Sequence, residues 1–352
     1  MEQKGIGIRE LARRLNISIG TVSRALNGRE DVSPVTRSRV LEAASRFGYA
    51  PNQSGRALRQ GVTRAVALMM RTNVDIATFG ETFFLNLSEG LQGVLAQAGL
   101  DLIVLPCGSG FDQDQYLRRA VERGLADGFI VSDTQRIDAR IDYLLARGIP
   151  FVALGRSLSG GDHPWIDLDF EGVAEQAVDR LARSGHRRIA LGLTTREANS
   201  RVVFADAFEA ALRRRGIEPD PALVVRAPET VDGGYELGQA LLSIETPPTA
   251  IVLGQSTHAI GLYRYLRDRN LEPGRDIAII GFRDNPACQF LTPALTCFRV
   301  SLRELGACLG ETLLSAMQPS DGEVESGERL RLWPLSLVQG ESDARFHRDA
   351  KG

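Results

Sequence analysis

From residue 65 onward the chain alternates short apolar runs with stretches of helical period, and this alternation limits the fold more than any other feature. AVALMM (65–70), DLIVLP (101–106), DGFIVS (127–132), PFVALG (150–155), RRIALGL (187–193), LVVRA (223–227), TAIVLG (249–254) and DIAIIGF (276–282) each have strand length. Between them lie patterns of helical length, such as roughly 82–98 with Leu85, Leu87, Leu91 and Leu95. Buried strands separated by helices build parallel, doubly wound sheets, because each parallel pair needs a crossover. Two sets of four to five strands predict two similar subdomains dividing near Pro164–Asp169.

The first fifty residues follow a different rule. Ile8, Leu11, Ala12 and Leu15 repeat as i, i+3, i+4, i+7, and the pattern breaks at Asn16 to Ser18. Val22, Ala25 and Leu26 form a second stripe. Ser33-Pro34 supplies an N-cap with proline at the first helical position, and Val40, Ala43, Ala44 and Phe47 follow before Gly48. Two short helices joined by a tight turn and braced by a third form a helix-turn-helix. A helix as short as the second is not stable alone in water. Val22 and Leu26 are expected to anchor it, leaving Ile19 to Arg24 free to enter a major groove. Gly20, Thr21 and Ser23 are small enough for close approach, their hydroxyls suit phosphate or base edges, and Arg24 can address a guanine.

Charge divides the chain at the same place. Residues 1–64 carry 12 Lys and Arg against 5 Asp and Glu, whereas the remainder carries 30 against 39. A basic module on an acidic body suits a phosphate backbone at one end only.

The runs IRELARRLNISIGTVSRALNG and VSPVTRSRVLEAASRFGYAPN closely resemble the DNA-binding headpiece of the lactose-repressor (LacI/GalR) family, most specifically in TVSRALN and Tyr49-Ala50-Pro51-Asn52. The resemblance implies base reading by Ile19, Gly20 and Arg24, and backbone clamping by Thr21, Ser23, Asn27, Ser33 and Thr36. Gly20 has no side chain for readout, so neighbours must supply part of the specificity. Residues 52–64, NQSGRALRQGVTR, read as a polar linker. The resemblance implies a hinge helix that forms when two subunits meet on DNA, with Leu58 wedged into the minor groove and Arg56 beside it. Gly55 stands where the family commonly has alanine and costs about 1 kcal/mol of helix propensity, so a hinge disordered off DNA is expected.

The body resembles the family's periplasmic-binding-protein-like domain, through DGFIVS, WIDLDFEG (165–172), SGHRRIAL (184–191) and IIGFRDNPACQFLTPALT (279–296). This implies a headpiece over 1–50, a hinge over 51–64 and an effector-binding and dimerisation domain over 65–345. Within it, one subdomain would comprise about 65–165 and 299–327, and the other about 166–298 and 328–345, completed by RLWPLSLV (331–338). Ligands of open parallel sheets bind at the strands' carboxyl ends. The matching effector positions are Phe83, Phe84, Ser132, Thr134, Arg156, Ser256, Arg283 and Asp284. Three positions depart from the family pattern. Phe170 replaces a usual asparagine, Arg283 replaces an aspartate common in sugar-binding members, and Phe204 replaces an effector-binding arginine that Arg201 could supply from one turn away.

Other functions lack their constellations. Gly254-Gln255-Ser256-Thr257-His258 is not GxSxG, Gly108-Ser109-Gly110 lacks the third glycine of a dinucleotide turn, and no Walker motif occurs. The four cysteines and four histidines show no metal-ligand spacing, so no metal or cofactor is expected. The N-terminus lacks an apolar signal region and no membrane-length run exists, which disfavours a secreted solute-binding protein and points to the cytoplasm. The expectation is a homodimeric regulator that binds pseudo-palindromic operator DNA, most simply a repressor of a carbohydrate operon. Its effector would be a sugar or glycoside, with an anionic sugar phosphate as the alternative. The short remainder after Asp343 has no leucine heptad, so a dimer is expected rather than a tetramer.

Overall fold

The computed structural model describes residues 6–26, 28–29, 31–49, 62–72, 81–108, 110–318 and 330–343. The chain divides into two compact units, Met1–Thr63 and Arg64–Gly352.

In the first unit, α1 (Ile8–Leu15), α2 (Ile19–Leu26) and α3 (Pro34–Arg46) surround a core of Leu11, Ala12, Val22, Ala25, Val32, Val40, Ala43 and Ala44. Asn16 closes α1 in the left-handed conformation (φ 53°), which its short polar side chain tolerates. The anchor of α2 differs from expectation: Val22 and Ala25 are the buried pair, while Leu26 is half-buried at the edge. Leu26 is the last residue of α2 and packs on the rim of the same core, where the neighbouring helices cover it only in part.

The second unit contains two parallel sheets. The first has order β11-β5-β4-β3-β1-β2, from β1 (Ala65–Thr72), β2 (Asp101–Gly108), β3 (Gly128–Ser132), β4 (Phe151–Leu154), β5 (Trp165–Leu168) and β11 (Leu330–Trp333). The other has order β7-β6-β8-β9, from β6 (Ile189–Thr194), β7 (Val224–Ala227), β8 (Ala250–Leu253) and β9 (Ala278–Gly281). Helices α4 (Glu81–Gln97), α5 (Gln113–Glu122), α6 (Ala139–Ala146) and α11 (Leu302–Met317) belong with the first sheet. With the second lie α7 (Phe170–Arg183), α8 (Asn199–Arg214), α9 (Val231–Leu242) and α10 (Ser256–Arg267). The close packing of α11 on α4 depends on Gly306, where a Cβ would sit 2.0 Å from the Leu87 carbonyl oxygen.

Trp165–Leu168 pairs with β4 and β11, so the chain leaves the first sheet after Leu168, inside the expected Pro164–Asp169 window. Another boundary differs from that expected. The run 331–338 was expected to complete the second subdomain as one strand, but it breaks at Pro334. Its first half is β11 in the first sheet, and its second half is β12 (Ser336–Val338), antiparallel to β10 (Cys297–Arg299). Proline has no N–H to donate to a ladder; Pro106 is accommodated in the edge strand β2, whereas at Pro334 the chain leaves one sheet for the other.

Candidate functional site

The headpiece presents α2 by local means. Ser18 Oγ accepts from the Thr21 amide at 3.0 Å and lies 2.9 Å from its hydroxyl. Ser33 does the same for Thr36, at 3.2 and 2.9 Å, so these hydroxyls cap helix starts as well as facing solvent. Ile19, Gly20 and Arg24 are exposed, and Thr21 and Ser23 half-buried. Arg24 reaches Asp31 at 3.3 Å, with both side chains more than half exposed. Such a pair contributes little in water and can be exchanged for a stronger anion. Asn27, Arg56, Leu58 and hinge residues 51–61 lie outside the described residues.

In the body, residues following the strands of both sheets meet across a cleft. Phe83 and Phe84, near the start of α4, are half-buried and edge-to-face, with centroids 5.1 Å apart at 85°. From the other subdomain, just beyond β9, the Arg283 guanidinium lies over the Phe83 ring, 4.8 Å from its centroid. The Ser256 hydroxyl donates to the Arg283 carbonyl and fixes that loop. Arg201 donates to the Thr194 hydroxyl at 3.0 Å. Burial lowers the pKa of both Arg201 and Arg283. Neither forms an ion pair within 4 Å of a carboxylate among the described residues.

The remaining expected positions are engaged with the protein itself. Ser132 donates to the Met69 carbonyl at 2.8 Å inside the first sheet. Thr134 Oγ1 donates to the Arg156 carbonyl at 3.0 Å. Gly155 (φ +119°) permits this approach, since a Cβ there would lie 2.4 Å from that hydroxyl. The Arg156 guanidinium is directed at Asp167 (2.8 Å) and Glu171 (2.8 Å through both terminal nitrogens). Burial disfavours its charge, but these bonds outweigh burial and raise its pKa. Asp284 accepts from Arg299 at 3.1 and 3.2 Å. Phe170 and Phe204, which stand where polar residues were expected, pack with Phe282: Phe170 stacks on it at 4.9 Å and 5°, and Phe204 approaches at 5.5 Å. All three rings are buried, so an aromatic cluster takes the place of polar side chains.

Several cleft residues were missed in the sequence. Asp133, Arg196, Asn199, Glu229 and Gln255 all lie within five residues of the carboxyl end of β3, β6, β7 or β8. Applying the strand-end rule to every strand would have found them; matching family positions did not. Asn199 donates its amide to the Thr134 carbonyl at 2.9 Å and its side-chain NH₂ to the Arg156 carbonyl at 2.8 Å.

Residues 7–52 match the family described as bacterial regulatory proteins, lacI family, and residues 178–342 match a periplasmic binding protein-like domain. The chain is 32% identical over 342 residues to the HTH-type transcriptional regulator AglR of Rhizobium meliloti (strain 1021), covering 95% of this chain and 93% of that protein. It resembles the solved complex of the transcriptional regulator CelR with cellobiose, at TM-score 0.72 and 25% identity, covering 96% of this chain and 99% of the other. The lac repressor dimer bound to operator and the anti-inducer ONPF matches at TM-score 0.82 and 21% identity, covering 96% and 99%. Among the described residues no helix is long and apolar enough to cross a membrane.

Proposed function

Because the chain belongs to the lacI family of bacterial regulatory proteins and is a DNA-binding transcriptional regulator, we propose that it senses a carbohydrate in the cleft between its subdomains and represses an uptake or catabolic operon. The observation that carries the effector reading is the Phe83–Arg283 pair, a ring from one subdomain under a guanidinium from the other. An aromatic face suits the apolar face of a sugar ring, and a guanidinium donates to its hydroxyls. Arg156 is matched by Asp167 and Glu171, and Arg196 by Asp133 and Glu229, so two of the four cleft arginines are already balanced while Arg201 and Arg283 are left to donate to a ligand.

On the DNA side, Ile19, Gly20 and Arg24 would read bases while Thr21, Ser23, Ser33 and Thr36 hold the backbone, two subunits placing their α2 helices in successive major grooves. As a homodimer, which is how the lac repressor neighbour is described, the protein would bind a pseudo-palindrome. Effector binding would change operator affinity, and by linkage the operator would change effector affinity by the same factor. The protein would act in the cytoplasm, where its DNA is, and would catalyse no reaction.

The test is a thermal-shift screen of the full chain against neutral mono- and disaccharides, beginning with cellobiose, alongside sugar phosphates. A ligand specific to the folded state raises Tm by mass action. A rise with a neutral sugar that disappears in Arg283→Ala supports the proposal. A rise confined to phosphorylated compounds would replace the effector class and make Arg201 and Arg283 its counter-ions.

A further inference from the structure

Asp133, Arg196 and Glu229 form a chain of charges shared by the two subdomains. Arg196 and Glu229 follow adjacent strands of the second sheet, β6 and β7, while Asp133 follows β3 of the first. Arg196 Nη2 is 2.5 Å from Glu229 Oε2, and its Nη1 is 3.2 Å from Asp133 Oδ1. The three side chains are only 19%, 11% and 11% exposed, in the order Arg196, Glu229, Asp133, so water screens these pairs weakly. Burial disfavours the Arg196 charge, but Asp133 and Glu229 outweigh it and raise the pKa.

Both ends of the chain are braced. Gln255 donates its side-chain amide to Glu229. Asp133 has φ 55°, a left-handed conformation that its short polar side chain tolerates. Its carbonyl accepts from Arg140 at 3.1 Å, and Arg140 is itself clamped on Asp138 at 2.7 and 2.9 Å.

We propose that Arg196 is a positioning residue, the tether that sets the balance between closed and open arrangements of the two subdomains. The proposal rests on reading the cleft as the effector site. Glu229 holds the guanidinium on its own subdomain, and the free arm reaches Asp133 on the other. An effector that binds the closed arrangement has an apparent affinity proportional to the closed fraction. Weakening the tether therefore weakens effector binding without removing any contact to the effector. It also moves the operator affinity of the effector-free protein away from the effector-bound value.

Asn199 provides a readout that needs neither effector nor operator. As the first residue of α8, its amide has no intrahelical acceptor and is protected by the Thr134 carbonyl across the cleft. Hydrogen exchange at that amide reports separation of the subdomains at this point. The experiment compares the full chain with Arg196→Gln, Glu229→Gln and Asp133→Asn, which remove charge from three different loops, and with Arg196→Lys, which keeps it.

The expected result is exchange at Asn199 about tenfold faster in all three neutral variants, partial recovery in Arg196→Lys, and unchanged protection in β1 and β8. Unchanged exchange at Asn199 in the neutral variants overturns the proposal. So does acceleration spread equally over β1 and β8, which would mark a general loss of stability. Acceleration confined to Arg196→Gln likewise overturns it, because it would report loosening of one loop only. Should Arg196→Gln fail to fold, Glu229→Gln and Asp133→Asn decide, since each removes one arm and keeps side-chain volume. No sugar enters this measurement, so its failure is separate from failure of the carbohydrate reading.

Discussion

The headpiece and the body treat polar groups in opposite ways. In residues 6–49 the side-chain bonds are short-range, from three or four residues apart (Ser18 with Thr21, Ser33 with Thr36, Glu10 with Arg13 and Arg14) to seven or eight (Arg24 with Asp31, Arg37 with the Arg29 carbonyl). Their core is eight small or medium apolar side chains. In the body, polar groups are buried and joined over long separations, such as Ser132 to Met69, Arg196 to Asp133 and Asn199 to Arg156. A surface that must meet a phosphate backbone keeps its polar groups wet and cheaply exchanged. The body holds them in desolvated pairs, where loss of one partner is costly.

The largest expected effect that tests the burial side of this contrast is at Arg140, paired with Asp138 two residues away, both 2% exposed. Arg140→Ala strands a buried carboxylate and is expected to cost about 3–5 kcal/mol. Urea unfolding followed by tryptophan fluorescence reads it, because both tryptophans, Trp165 and Trp333, lie in the body. A loss below about 1 kcal/mol would end the claim that body and headpiece differ in this way.

Leu11→Ala removes a fully buried side chain from the small core and is expected to cost about 2–5 kcal/mol. The headpiece should lose helical signal and operator binding while the tryptophan transition stays in place. A shift of both would mean that the two units do not unfold independently.

Arg24→Ala is expected to weaken operator binding by about 1–3 kcal/mol and to relax preference at one base pair. Fluorescence anisotropy with single-base operator variants separates this from uniform weakening, which would assign Arg24 to phosphate. Ser33→Ala should cost the headpiece about 1 kcal/mol through its lost cap, measured by thermal denaturation of the same variants.

The smallest effect concerns pH. Burial lowers the pKa of His163 and His258, one in each subdomain, below the ordinary histidine value of about 6.5. The unfolded chain therefore binds protons that the native state refuses. The stability this contributes is complete above about pH 6.5 and is lost as pH falls through the lower native values. Body stability that stays constant as pH falls from 7 to 5 in wild type, but changes in His258→Gln, would refute this sign.

The headpiece was almost fully legible, because stripe, cap and stop are each written within a few residues. Only the choice of Ala25 over Leu26 as a buried anchor had to wait. The alternating body was legible as strands and crossovers for the same reason. Its site was less so. Phe83 and Arg283 were named from the sequence, but nothing local says that they stack, being 200 positions apart. Arg156 carries the same side chain as Arg196, yet it turns to Asp167 and Glu171 while Arg196 bridges the subdomains.

The two units, their classes and the charge that separates them follow from local sequence alone, since periodicity and composition are properties of neighbouring residues. Where RLWPLSLV splits, the closing of Phe170, Phe204 and Phe282 into one cluster, and which carboxylate each arginine meets all depend on long-range packing. A guanidinium can satisfy any carboxylate within reach. Reach is set by which strand ends the order β7-β6-β8-β9 and its partner sheet bring side by side.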